Sequence, residues 1–135
     1  MSEENAEIIR AMIGRWNNGD RDVAGIAEYA DPAIELQTPF ASVGGEPYKG
    51  YVGIEHWMRD VDDQFSEWHI EIDELRPVAK RVLAIVTVTG RGRASGVALN
   101  FASASVFDFG SDHRVTRMHI YPETADALKA LGLEE

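Results

Sequence analysis

Apolar residues recur along the chain in two periods, and the change from one to the other marks its organisation. Ile8, Ile9, Met12, Ile13 and Trp16 follow steps of three and four, with Glu3, Glu4, Glu7 and Arg10 off the stripe. That spacing predicts an amphipathic helix. Asn17-Asn18-Gly19-Asp20 stops it and offers Asp20 as the cap of a second helix, with Val23, Ile26, Ala27 and Ala30 on its apolar side. Asp31-Pro32 closes this helical hairpin. In 33–38, Ile34, Leu36 and Thr38 alternate with Glu35 and Gln37, a short strand with one buried face. A loop, SVGGEPYKGY, leads to a third helix predicted from about 52 to 65, on the stripe Ile54, Trp57, Met58, Val61 and Phe65.

Period two then governs the rest. Trp68, Ile70 and Ile72 alternate with His69, Glu71 and Asp73. The segment 82–89 is nearly all β-branched, and 97–109 and 115–121 follow between turns. A last short helix begins after Pro122, carries Lys129 near its end and stops at Gly132. The order α-α-β-α-β-β-β-β-α places helices before a run of hairpin-connected strands. It predicts the α+β class: an antiparallel sheet with helices on one side, in a single domain spanning 1–135.

One stretch invites a different reading. GRGRASG (90–96) follows a β-rich run and resembles a phosphate-binding loop in composition. A dinucleotide fingerprint needs G-x-G-x-x-G between a strand and a helix, so that the helix N-terminus meets the pyrophosphate. Here the spacing is G-x-G-x-x-x-G and a strand, VALNFASASVFDF, follows. Without a helix N-terminus no oriented dipole holds the anion, and the stretch is expected to be a glycine-rich hairpin turn.

Charge and composition narrow the partners. Thirteen basic and 23 acidic residues give a formal net charge of −10, which repels nucleic acid and anionic membrane surfaces and favours a neutral, cationic or apolar partner. The absence of cysteine excludes disulfides and thiolate metal sites. No apolar run approaches the ~20 residues of a membrane span, and the acidic N-terminus lacks a signal-peptide pattern. A cytoplasmic protein with no cofactor and no metal is expected.

The element order, together with YKGYVGIEHWMRD (48–60), GRGRASG and VTRMHIYPETADALKALGL (115–133), resembles the SnoaL-like branch of the nuclear transport factor 2-like superfamily, which includes ketosteroid isomerases, polyketide cyclases, epoxide hydrolases and dehydratases. The resemblance covers nearly the whole chain. It implies a cystatin-like cone, a curved antiparallel sheet wrapped by N-terminal helices around an apolar cavity, with a homodimer through the outer sheet face. It also locates the family's catalytic positions. The isomerases use a tyrosine, a carboxylate base and a protonated aspartate; these positions fall on Met12, on Thr38 or Gln37, and on Ser105 or Ser103. The last-strand acid of the cyclases and hydrolases falls on Ile120, and the hydrolase Arg-x-Asp pair falls within 87–89, which carries no charge. No known catalytic set of the family is present, and fold alone does not assign the chemistry.

The remaining candidates are weighed by position. Helical geometry turns His56 to solvent. His69 shares a polar strand face with Glu71 and Asp73, a solvated face rather than a metal site. His113 lies in a turn and is expected to be solvated. His119 alternates with Arg117 and Tyr121, which places it on the outer face. Arg91 and Arg93 are expected to be exposed charges that keep a strand end soluble, and Tyr48 and Tyr51 to pack against the first strand. The expected ligand-binding wall comprises Met12, Trp16, Leu36, Thr38, Trp57, Met58, Val61, Phe65, Phe101, Ser103, Ser105, Met118 and Ile120, with Phe107 and Thr116 also turned inward. A small, largely apolar molecule is the expected partner. The competing readings are an isomerase, cyclase or dehydratase with a relocated acid–base pair, drawing on Glu123, Asp63 or a histidine, and a non-catalytic interaction module.

Overall fold

The computed structural model describes residues 2–19, 25, 27–38 and 46–133. Helix α1 (Ser2–Asn17) precedes strand β1 (Ala30–Gln37) and the two-residue strand β2 (Tyr48–Lys49). Helix α2 (Gly50–Gln64) runs directly into β3 (Phe65–Val78), followed by β4 (Arg81–Gly92), β5 (Ala98–Phe109), β6 (Val115–Tyr121) and helix α3 (Thr124–Ala130). Gly25 and Ala27 are helical, and the rest of the predicted second helix lies outside the described residues, as does most of the loop after β1. Ala30 belongs to β1, not to that helix. Its N-terminal start is stabilised by non-local bonds: Val115 N–H donates to Tyr29 O at 2.8 Å, and Tyr51 Oη donates to Ala30 O at 2.8 Å.

The six strands form one sheet in the order β2-β1-β6-β5-β4-β3. All pairings are antiparallel except β1 with β6, which is parallel. The expectation of a wholly antiparallel sheet is corrected there. The chain leaves β1, builds the meander β3 to β6, and returns alongside β1 in the same direction.

Alternation sorts the sheet into two faces. Inward lie Ile34 and Leu36 of β1, Val82, Ala84, Val86 and Val88 of β4, and Phe107 of β5, forming the main core with Ile9 and Trp16 of α1 and with Ile54, Met58 and Val61 of α2. At the edge strand, the Asn17 side-chain amide both donates to Ile70 O at 2.7 Å and accepts from Ile70 N–H at 2.9 Å. The end of α1 thus occupies β3 edge groups that would otherwise be open to another chain.

The outer face corrects a second expectation. Helix α3 packs there, where Ala127, Leu128 and Leu131 join Leu83, Ile85, Ala104, Val106 and Tyr121 in a separate cluster. Helices therefore cover both sides of the sheet. Gly132, with φ +75°, ends α3, and Leu133 N–H donates to Leu128 O. Across the same face, register aligns Lys49, Glu35, Arg117, Asp108 and Arg81 on five adjacent strands, opposite charges alternating throughout. Within this row Arg81 and Asp108 form a salt bridge at 3.0 Å, a cross-strand pair that contributes ~0.2–1 kcal/mol.

GRGRASG is a turn, and it is also a clamp. Gly92 N–H donates to Val97 O, and Gly96, with φ +70°, reverses the chain. A Cβ on Gly90 would overlap the backbone carbonyl of Glu67, so β3 and β4 can approach only at a glycine. Arg93 does not stand free as expected. Its Nε donates to Asp62 O at 2.8 Å, its Nη2 to Phe65 O at 3.2 Å and its backbone N–H to Gln64 O at 2.8 Å. The cation thus satisfies carbonyls at the C-terminus of α2, where the helix dipole also favours it. Arg91 stays exposed, donating to Gly96 O and lying 3.8 Å from Glu67.

Candidate functional site

The inner wall is built in rows by strand register. Leu36 pairs with Met118 and Met118 with Phe107; Ser105 lies between Ala84 and Ile120; Ser103 lies beside Val86, and Phe101 beside Val88. Trp68, Ile70 and Ile72 of β3 continue this wall to the sheet edge. These three were assigned to a strand by their alternation but not to the ligand wall. Met12 and Trp16 of α1 and Trp57, Met58 and Val61 of α2 close it from the opposite side.

Aromatic rings concentrate here. Trp16 and Trp57 lie 5.1 Å apart, and Phe65 lies 4.7 Å from Trp68, which in turn meets Phe101 edge-on at 6.0 Å. Phe101 was expected within the interior. It sits on the inner face but at its rim, 43% exposed, because β3 to β5 extend beyond β6 there. The Phe65–Trp68–Phe101 cluster therefore forms an aromatic lip. Phe107, six residues along the same strand, is 2% exposed and fixed in the core.

Besides the buried Trp16 indole N–H, the buried polar side chains of this wall among the described residues are hydroxyls. Thr38, Ser103 and Ser105 are all buried. Ser103 Oγ donates to Tyr121 O at 3.3 Å, holding the end of β6. The Ser105 hydroxyl, 6% exposed, forms no hydrogen bond among the described residues. Thr116, predicted to face inward, instead donates to Asp108 O at 3.3 Å and is half-buried.

None of the inner-wall residues named above carries a carboxylate or imidazole. Met12, Thr38, Gln37, Ser103, Ser105 and Ile120 occupy the positions to which the resemblance assigned the family's acids and tyrosine. Hydroxyls orient a ligand but do not accept a proton near neutral pH unaided. Glu123 is exposed at the start of α3, and Asp63 is exposed on α2. Tyr48 Oη donates to Asp60 Oδ2 at 2.9 Å, and burial, reinforced by that carboxylate, raises the phenol pKa above its ordinary 10.0. This pair ties β2 to the flank of α2.

The histidines lie elsewhere. His56 is exposed, 3.9 Å from Asp60. His69 is exposed on the outer face, and among the described residues no group of three or more His, Asp or Glu could hold a metal; Asp73 accepts instead from Thr87 Oγ1 at 2.6 Å. His113 keeps a partly solvated side chain, 38% exposed, but it is also anchored. It adopts φ +63°, is half-buried and places Nδ1 3.2 Å from Asn5 Oδ1, pinning the β5–β6 turn to α1. Nothing local in GSDHR signals that contact. His119 faces outward as expected and stacks on Tyr121 at 4.0 Å.

The SnoaL-like domain model matches residues 9–118. The chain belongs to the SnoaL-like family. No curated protein matches it. Among solved structures, a candidate SnoaL-like polyketide cyclase from Jannaschia sp. CCS1 is 13% identical with a TM-score of 0.78, covering 98% of this chain and 94% of that one. TerC, co-crystallised with polyporic acid, is 21% identical with a TM-score of 0.75, over 95% and 98% of the two chains. A hypothetical protein of ketosteroid isomerase-like fold from Catenulispora acidiphila, in complex with trimethylamine, is 16% identical with a TM-score of 0.73, over 94% and 93%. At these identities the likeness establishes the SnoaL-like cone and leaves the reaction open. No helix among the described residues is long and apolar enough to cross a membrane.

Proposed function

We propose that this SnoaL-like protein binds a small, largely apolar molecule inside the cone, stacked on its aromatic wall and oriented by interior hydroxyls. The observation that carries this reading is the inner wall itself: apolar and aromatic residues surround Ser105, whose hydroxyl forms no hydrogen bond among the described residues. An apolar surface with a few convergent polar atoms is the usual composition of a small-molecule site. The polyporic acid and trimethylamine complexes of structural neighbours support the same class of occupant. Proton-transfer chemistry has less support, because Glu123 and Asp63 stand exposed, away from this wall.

The three tryptophans, Trp16, Trp57 and Trp68, all pack on the interior and provide the assay. Titration with a panel of flat aromatic compounds, polycyclic ketones and small amines is expected to shift or quench tryptophan fluorescence saturably for at least one class. Ser105→Val should weaken that ligand about tenfold, the loss of one hydrogen bond, while leaving the melting temperature nearly unchanged. A panel that leaves the fluorescence untouched would overturn the reading.

The proposed homodimer has only part of the outer face to use, since α3 covers the Leu83–Val106 region. The uncovered part carries Glu67, His69, Glu71, Thr89 and Asn100, a polar and acidic surface. Such a surface also weighs against a module acting through an apolar outer patch. Sedimentation across a concentration series tests the dimer, and a monomer throughout overturns it. A cytoplasmic setting completes this reading.

A further inference from the structure

The outer face holds a pocket of about 120 Å³ where the charged row of the sheet meets the end of α3. That exceeds the ~10–15 Å³ a single water needs. Arg81, Asp108, Arg117, His119 and Tyr121 line it, with Val106 and Ala130 supplying apolar surface. Register makes the arrangement ordered: Arg81, Asp108 and Arg117 stand abreast on β4, β5 and β6, and Val106 and His119 form the next row.

The polar groups there are unequal in number. Asp108 supplies the carboxylate, and Arg81 engages it at 3.0 Å. The Arg117 guanidinium forms neither a hydrogen bond nor an ion pair among the described residues. Its cross-strand neighbour Glu35 is exposed and makes no ion pair with it. Burial, helped by Arg117, lowers the His119 pKa from 6.5, so its imidazole is neutral at pH 7 and its ring N–H can donate. Burial likewise raises the Tyr121 pKa above 10.0, so its phenol stays a donor. The stacked His119 and Tyr121 rings, 4.0 Å apart and 11° from parallel, make a flat side wall. With Asp108 already engaged, the side chains present donors and one uncommitted cation, on a protein whose net charge is −10. The complementary ligand is an acceptor bearing a single negative charge and little bulk.

We propose that this outer-face pocket is a binding site for a small carboxylate with a short apolar body, its oxygens on the Arg117 guanidinium and its body against Val106 and Ala130. Arginine presents paired donors that match a carboxylate. The guanidinium is exposed, so affinity is weak, on the order of 1 mM. The site is separate from the cone and does not depend on the ligand proposed there.

Benzoate, with neutral benzamide as its isostere, is the probe. In two-dimensional NMR titrations of the full chain, benzoate should shift the amides of Arg81, Val106, Asp108, Arg117, His119, Tyr121 and Ala130 saturably, and benzamide should not. Arg117→Gln should weaken benzoate roughly tenfold. Asp108→Asn, which releases Arg81, and Glu35→Gln, which removes a competing carboxylate, should each tighten it severalfold. Ser105→Val should leave it unchanged. The proposal fails if benzamide binds as well as benzoate, if Arg117→Gln has no effect, or if the shifts fall on the indoles of Trp16, Trp57 and Trp68, which would report the cone instead. An absence of saturable shifts would also overturn it.

Discussion

Strand β5 carries two surfaces of different chemistry on alternating residues. Its inner side chains, Phe101, Ser103, Ser105 and Phe107, pass from an exposed aromatic lip through two buried hydroxyls to a buried phenyl ring. Its outer side chains, Ala104, Val106 and Asp108, pass from an apolar patch beneath α3 to a link in the charge row. The inner face gathers apolar and aromatic side chains from two helices and all six strands around the Ser103 and Ser105 hydroxyls. The outer face pairs Arg81 with Asp108 and covers its apolar part with a seven-residue helix. The comparison teaches that a sheet buried on both sides can still divide its roles. One side gathers an apolar and aromatic wall, and the other combines a small second core with a polar exterior.

The strongest way to break this comparison is to truncate one side chain from each core. Phe107→Ala should cost ~3–5 kcal/mol in urea unfolding, and Leu83→Ala on the outer face ~2–5 kcal/mol. Both residues are fully buried. If Leu83→Ala cost under ~1 kcal/mol, the outer cluster would be a loose cover rather than a core.

A smaller effect tests the clamp between the α2–β3 junction and the β4–β5 turn. Arg93→Ala removes side-chain donors to Asp62 O and Phe65 O and should cost ~1 kcal/mol, measured by the shift in denaturant midpoint. Arg91→Ala, in the same turn and exposed, should fall within ~0.5 kcal/mol of wild type.

The smallest effect concerns pH. His119, whose folded pKa lies below 6.5, contributes stability that is fully present above pH 6.5 and is lost as pH falls through the folded value, because the unfolded chain binds the proton more readily. His119→Gln should therefore flatten the loss of stability on acidification below pH 6.5, seen as a smaller drop in melting temperature. Arg117, Asp108, Arg81 and Tyr121 face the same space, so Arg117→Gln should lessen that drop as well.

Much of this architecture was legible one residue at a time. Alternation at Trp68-Ile70-Ile72 and across 115–121 sets which side chains face in, because the side-chain direction of a strand reverses at every residue. That rule also placed His119 outside and Ser103, Ser105 and Ile120 inside. The stripe of Ile54, Trp57, Met58 and Val61 located α2 because its helical period brings those four to one side. Other features were hidden for equally physical reasons. Ala30 carries little local preference and enters β1 through bonds to Tyr51 and Val115, far along the chain. Tyr48–Lys49 is too short to show a period. Arg93 resembles any exposed arginine until α2 ends beside it, and His113 any turn residue until α1 presents Asn5.

The sequence by itself determined the SnoaL-like fold, the hairpin at GRGRASG and the faces of the strands, all of which rest on local period, turn chemistry or residue identity. Tertiary structure alone decided that β1 runs parallel to β6, that α3 crosses to the outer face, that the charges of five strands fall in one alternating row, and that Phe101 reaches the rim while Phe107 lies sealed. Those outcomes depend on register and on which surfaces meet, and both are set by burial summed over contacts far apart in the chain.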